Sequence, residues 1–174
     1  MGVREVKVLG DPLLRVKCEP ITDFKAAKPL VEDLRDTLAA LRKQYGMGRG
    51  LAAPQIGASQ RAIYVMVPEY EGEMLNPKMI GFGSEGGFEC WDSCFSAKVE
   101  FFAKVRRWIE VTVEFQTLTG ETRTMRAEGK FGELLQHEID HLDSILFVDK
   151  AQKNGEWLIM RDIWEERGRP FEAK

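Results

Sequence analysis

Only two histidines occur in this chain, His137 and His141, and they enclose a carboxylate in His137-Glu138-Ile139-Asp140-His141. Positions four apart are just over one helical turn apart, so on a helix both imidazoles leave the same face. Imidazoles so placed can take two adjacent positions on a tetrahedral metal ion, and Glu138 beside them can act as general base toward a bound water. A catalytic metal needs a third protein ligand and one open position. Cys94, in Trp91-Asp92-Ser93-Cys94-Phe95-Ser96, is a thiolate candidate for that ligand. Cys90 competes, because side chains two and four apart on an extended chain face the same way. Gln136 and Asp140 are candidates for outer contacts around the imidazoles.

Each feature has an ordinary alternative. Two helix histidines beside a solvated Glu need no metal, and a free Cys is most often a small buried apolar residue. Against the first, the motif uses every His in the chain and stands among Leu134, Leu135 and Leu142 on a segment that reads as buried. A third segment, Gly46-Met47-Gly48-Arg49-Gly50-Leu51-Ala52-Ala53-Pro54-Gln55-Ile56-Gly57, adds a glycine-rich stretch and an amide. Glycines at 46, 48 and 50 permit unusual backbone angles and close approach of a peptide ligand. Gln55 can donate a hydrogen bond to a developing oxyanion.

Several elements must position these groups. Glu5 to Leu9 reads as a strand ended by the turn signal Gly10-Asp11-Pro12. Leu30, Leu34, Leu38, Leu41 and Tyr45 recur at helical spacing, which predicts a helix from Pro29 to Tyr45, ended by Gly46 and Gly48. Strands are expected at Ala62 to Val67, Met74 to Leu75 and Trp108 to Phe115, the last from its alternation of Ile109, Val111, Val113 and Phe115 with polar partners. Thr119-Gly120 reads as a hairpin turn into Thr122 to Ala127. A second helix from Lys130 to Leu142 carries the His pair. A third, Glu156 to Arg167, is expected to bury Trp157, Met160 and Trp164 and to stop at Gly168 and Pro170. Strands mixed with few helices point to an α+β fold.

The chain of 174 residues suits one domain, residues 1–174, with a sizeable core. A net charge of -3 with no run of Lys or Arg argues against a nucleic-acid face. No apolar run approaches the ~20 residues that span a bilayer. The N-terminus has no secretory apolar core, and Val6 stands where a myristoylation signal carries Ser or Thr. Cys18, Cys90 and Cys94 are too few for a disulfide framework and fit a reducing compartment. The expected location is cytoplasmic, or an organelle where a transit peptide has been removed.

In combination the three segments resemble the peptide deformylases. That family is marked by Gly-x-Gly-Leu-Ala-Ala-Pro-Gln, Glu-Gly-Cys-Leu-Ser and Gln-His-Glu-x-Asp-His-Leu. Gly48-Arg49-Gly50-Leu51-Ala52-Ala53-Pro54-Gln55 matches the first and Gln136 to Leu142 the third, while Asp92-Ser93-Cys94-Phe95-Ser96 matches the second in part. The likeness runs from Val8 to Val148 and includes Asn76-Pro77 and Val105-Arg106-Arg107. It implies short antiparallel sheets around a central helix, and a metal on Cys94, His137 and His141 with water in the fourth position. The implied reaction is hydrolysis of the formyl group from N-formyl-methionyl peptides of nascent proteins, releasing formate. The implied natural metal is Fe²⁺, with Zn²⁺, Ni²⁺ or Co²⁺ as alternatives that ligand softness does not separate. Glu138 would be the base, and Gln55 and the Phe95 N–H the oxyanion donors. Gly48 and Gly50 would admit substrate backbone, and an Asp92–Arg107 pair, with Glu89 and Arg106 as substitutes, would position the Cys94 segment. The implied partner is the formyl-methionyl peptide, at the ribosome, with no direct nucleic-acid or membrane contact.

The departures from the family pattern are Arg49, Asp92, Ser93, Phe95, Ser96-Ala97-Lys98 and Ser144. Ser93 and Ser144 stand where glycines are usual. Arg49 and Lys98 add positive charge, from which a preference for acidic residues downstream of Met is expected. Two rivals follow: a zinc peptidase that uses Glu165 as its further ligand, and a deformylase-like metal-binding protein with little or no turnover.

Overall fold

A computed structural model describes residues 2–173. The leucine stripe forms α1, Lys28–Tyr45, with a Pro in its first turn and Gly46 closing it at φ 68°. That left-handed angle is one a glycine reaches without a Cβ penalty. Seven strands follow before the next helix: β1 Gly50–Ala52, β2 Ala62–Val67, β3 Tyr70–Phe82, β4 Gly87–Asp92, β5 Phe101–Trp108, β6 Glu110–Gln116 and β7 Thr122–Glu128. Then come α2, Gly129–Leu142, the short β8, Leu158–Met160, and α3, Arg161–Glu166. Five strands make one sheet in the order β1-β2-β3-β6-β7, and three make a second, β4-β5-β8. All neighbouring strands run antiparallel. The arrangement is α+β, as the mixture of strands and few helices implies.

Two apolar clusters hold the layers together. Ile63, Val65, Met74, Val111, Val113 and Phe115 of the larger sheet pack on Leu135, Ile139 and Leu142 of α2. Leu34 and Leu38 of α1 pack with Leu51, Leu75, Phe95, Phe102 and Trp164. Every residue of α2 from Phe131 to Leu142 is buried. One face of α2 rests on the sheet, and its other face is left to the polar groups of the motif.

Several expectations need correction. Glu5 to Leu9 is not a strand: Lys7 donates to Gln55 O at 2.8 Å and Leu9 to Ser96 O at 2.8 Å, so the segment ties two loops and pairs with no ladder. Trp108 to Phe115 is two strands. Ile109 breaks off to donate to Gly86 O at 3.1 Å, leaving Trp108 in the smaller sheet. The expected helix from Glu156 begins as β8, whose Ile159 pairs with Phe102. Period two therefore applies there: Ile159 is buried, Met160 is exposed, Trp157 is half-buried, and of the three expected core residues only Trp164 is fully inside. β3 extends well beyond Met74 to Leu75, and β4 and the β5 segment before Trp108 were not expected.

Candidate metal centre

The helix brings the two histidines onto its inner face, and the turn after β4 meets them with Cys94. The Nε2 atoms of His137 and His141 lie 3.2 Å apart, and Cys94 Sγ lies 3.3 Å from His141 Nε2. Zinc-type bonds of ~2.0–2.3 Å at tetrahedral angles would separate such donors by roughly 3.3–3.6 Å. The donor set, one thiolate and two imidazoles, all buried, therefore fits a single divalent cation. Cys90 is elsewhere: it pairs with Val105 inside the β4–β5 ladder and is fully buried, and burial pushes its thiol well above the ordinary range. It keeps the role of a small core residue.

Asp92 orients the centre. Its carboxylate accepts from His137 Nδ1 at 2.9 Å and from Arg107 at 2.8 Å. Burial alone would raise its pKa, but the His137 and Arg107 charges hold it well below the usual carboxylate range. Burial opposes charge on His137, yet Asp92 holds that imidazole well above its ordinary value, while burial and the neighbouring His137 push His141 well below. Arg107 also pairs with Asp140, and Asp140 accepts from Lys150 at 2.9 Å. The chain Lys150–Asp140–Arg107–Asp92–His137 thus runs from the protein surface to the centre. The expected Asp92–Arg107 pair is present, and the substitutes are not used: Arg106 is exposed, and Glu89 faces Lys104 at 3.9 Å. Gln136 serves the sheet rather than the centre, exchanging two 2.9 Å hydrogen bonds with the backbone of Trp108.

Glu138 is buried in the same cavity, and its Oε2 has no hydrogen-bond partner among the described residues. Burial raises its pKa to about 7. A Cβ on Gly50 would stand 2.6 Å from Glu138 Oε1, and a Cβ on Gly48, at φ 133°, would stand 2.4 Å from the Phe95 ring. The two motif glycines are therefore needed to seat Glu138 and Phe95, a reason independent of substrate approach. Gln55 accepts from Ala52 N at 2.9 Å, which aims its amide nitrogen at Cys94 Sγ (3.2 Å) and Ser96 Oγ (3.3 Å). Phe95 heads a 3-10 turn, Phe95–Ala97, where first-turn N–H groups lack intrahelical partners.

The departures resolve unevenly. Ser93 needs no left-handed backbone, and its hydroxyl donates to Phe101 O at 2.6 Å. Ser144 does sit at φ 61°, where glycine would be easier. Arg49 is not a free charge: it donates to Glu133 at 2.6 Å and to Lys130 O at 2.7 Å. Lys98 lines a separate depression with Glu100, Asp162 and Glu165. The expected preference for acidic peptides loses both of its supports. Glu133 was missed; it precedes His137 by one turn of α2, and the signal that could have found it is Arg49, a lone charge in an apolar motif position. Glu165, the ligand required by a zinc peptidase, is instead paired with Arg161 at 3.0 Å and Arg169 at 3.2 Å.

Fold and site together define a hydrolase built on a buried His-Glu-x-x-His helix with a mixed thiolate–imidazole cation site. The family model described as Polypeptide deformylase matches residues 3–157. A curated peptide deformylase of Heliobacterium modesticaldum is 38% identical over 156 residues, 88% of this chain and 97% of its own. The solved peptide deformylase of Legionella pneumophila superposes with a TM-score of 0.79 at 31% identity, covering 87% of this chain and 88% of that one. That of Thermus thermophilus gives 0.78 at 33%, covering 95% and 93%. The chain belongs to the peptide deformylase family, metallohydrolases that remove the formyl group from nascent peptides.

Proposed function

We propose that Cys94, His137 and His141 hold one divalent cation, Fe²⁺ in nature with Zn²⁺, Ni²⁺ or Co²⁺ able to replace it, and that Glu138 performs the proton transfers of deformylation. When bound, the cation supplies Lewis acidity that polarises the formyl carbonyl and makes an attacking water more acidic. Glu138 takes a proton from that water as its oxygen joins the formyl carbon. The same carboxyl returns the proton to the peptide nitrogen as the C–N bond breaks, leaving formate and a free amine. A base with pKa about 7 is matched to both transfers near neutrality. Gln55 Nε2 and the Phe95 N–H stabilise the oxyanion, Gly48 and Gly50 admit the substrate backbone, and Asp92 with Arg107 fixes the orientation of His137. Residues 1–174 act as one catalytic domain.

The observation that carries this reading is Glu138, a buried carboxylate outside the ligand trio, in the cavity that Cys94 and His137 also line. A site built only to hold a metal has no use for it. The proposed setting is the cytoplasm, near the ribosome where nascent chains emerge; no helix of the described residues is long and apolar enough to cross a membrane. Formate release from a formyl-methionyl peptide by Fe²⁺-loaded protein tests the assignment. No release at confirmed metal occupancy would leave a metal-binding protein without turnover.

A further inference from the structure

The cavity that Glu138 shares with Cys94 and His137 has a volume of about 300 Å³ and follows one face of α2. Lys130, Glu133, Leu134, His137 and Glu138 line it, and their three- and four-residue spacing puts them on a single side of the helix. Lys130 stands two turns, about 10 Å, before His137. With the formyl group at Glu138, a first side chain lying along this face is aimed toward Lys130. Phe171 stands there: its ring centroid lies 5.2 Å from Lys130 Nζ and 5.6 Å from that of Phe88.

Phe171 belongs to a segment outside residues 3–157, the part that matches the family. The segment is fastened to β4, an edge strand of the smaller sheet. Trp91 N donates to Phe171 O at 2.8 Å, Ala173 N donates to Glu89 O at 3.1 Å, and Glu172 faces Cys90 in an antiparallel bridge. On the other side Trp164 Nε1 donates to Pro170 O at 2.8 Å, and the Trp164 ring stacks on Phe102 at 4.0 Å. Trp91, Lys130, Pro170 and Phe171 line the cavity and also an outer depression walled by Glu156, Arg167 and Glu172. These four residues form the partition between the two spaces. Trp91 belongs to the apolar core and Lys130 is exposed, so the half-buried Phe171 ring is the bulk that closes the gap between β4 and the start of α2.

We infer that Phe171 is a specificity-determining residue that sets the depth of the substrate cavity and excludes formylated peptides whose first side chain is a linear chain longer than that of methionine. The inference rests on the deformylase reading and names the substrate limit of that site. The ring is held through backbone hydrogen bonds to β4, so a longer alkyl chain displaces it only by loosening that attachment. One methylene that does not fit a pocket changes kcat/KM by about tenfold or more.

Two formylated peptides that differ only at the first residue test this: norleucine, which matches methionine in length, and its homologue with an octyl side chain. In Fe²⁺-loaded protein, the octyl-to-norleucine ratio of kcat/KM is expected to be about tenfold higher in Phe171→Ala than in the native protein. Phe171→Leu is the second variant if a thermal melt shows the first unfolded, and should raise the ratio by a smaller factor. Binding of the two unformylated peptides to metal-free protein, read by calorimetry, should shift in the same direction. A merely structural role for Phe171 would lower kcat/KM for both peptides and leave the ratio where it is; that result, with equal shifts in binding, would overturn the inference while leaving deformylation intact. Absence of formate from both peptides would instead strike the deformylase reading, and the binding comparison would still decide the role of Phe171.

Discussion

Two arginines in this protein each stand between two carboxylates, with different consequences. On the β6–β7 face, Arg126 reaches Glu110 and Glu128 with its side chain 64% exposed. Beside the candidate metal centre, Arg107 reaches Asp92 and Asp140 with 1% of its side chain exposed. The local chemistry is the same, and the difference is water. Water screens the first trio and would take over either partner's hydrogen bonds, so it contributes little to stability. The second trio has no water to fall back on, so each member depends on the others, and through Asp92 the arrangement reaches His137. Charge count alone would rate the two alike; burial and the Asp92–His137 contact tie one of them to a proposed metal ligand.

The comparison can be broken or sharpened by a graded set of measurements. The largest effect is expected from Cys94→Ala, which should abolish metal retention, read by elemental analysis, and with it formate release. Cys90→Ala should keep about one metal per chain, and the reverse outcome would move the site to the other sulfur. Arg107→Leu should destabilise the fold by about 3 kcal/mol in denaturant titration, because two buried carboxylates each lose one partner and keep only His137 or Lys150. An Asp92/Arg107 double-mutant cycle with no coupling would contradict the network. Glu138→Ala should retain the metal and lower kcat by about 10²-fold or more. In the native protein, kcat/KM should rise with pH and level off above about 7, because the base must be unprotonated and burial has raised its pKa to that value. A flat profile across that range would remove Glu138 as the titrating base. Arg126→Ala should leave the unfolding midpoint where it is, and a clear loss would show that exposure is the wrong axis for the comparison.

Much of the centre was legible in the sequence because its residues obey short-range rules. The His pair needs only helical spacing, and α2 and β2 follow from their apolar patterns almost to the residue. The failures lie where the site itself disturbs those patterns. In β5, Ala103, Val105 and Arg107 share the buried face, so the strand carries a charge where alternation calls for an apolar residue. Along β4, Cys90, Trp91 and Asp92 are all buried, which erases period two. At Leu158–Met160 the pairing with β5 decides the conformation, and that partner is more than fifty positions away. Glu133 was invisible for a related reason: its partner Arg49 is 84 positions distant, and neither residue announces the other.

The burial of α2 has a dynamic counterpart. Its amides from Phe131 to Leu142 have no route to solvent through fraying of an exposed face, since that helix is enclosed between the larger sheet and the residues of the centre. Hydrogen exchange there should proceed only through opening of the whole protein, while α3, with Trp164 its single buried residue, should exchange through local fluctuations. The two histidines would then sit in the slowest-exchanging part of the molecule, so that the geometry of the centre persists for as long as the protein stays folded.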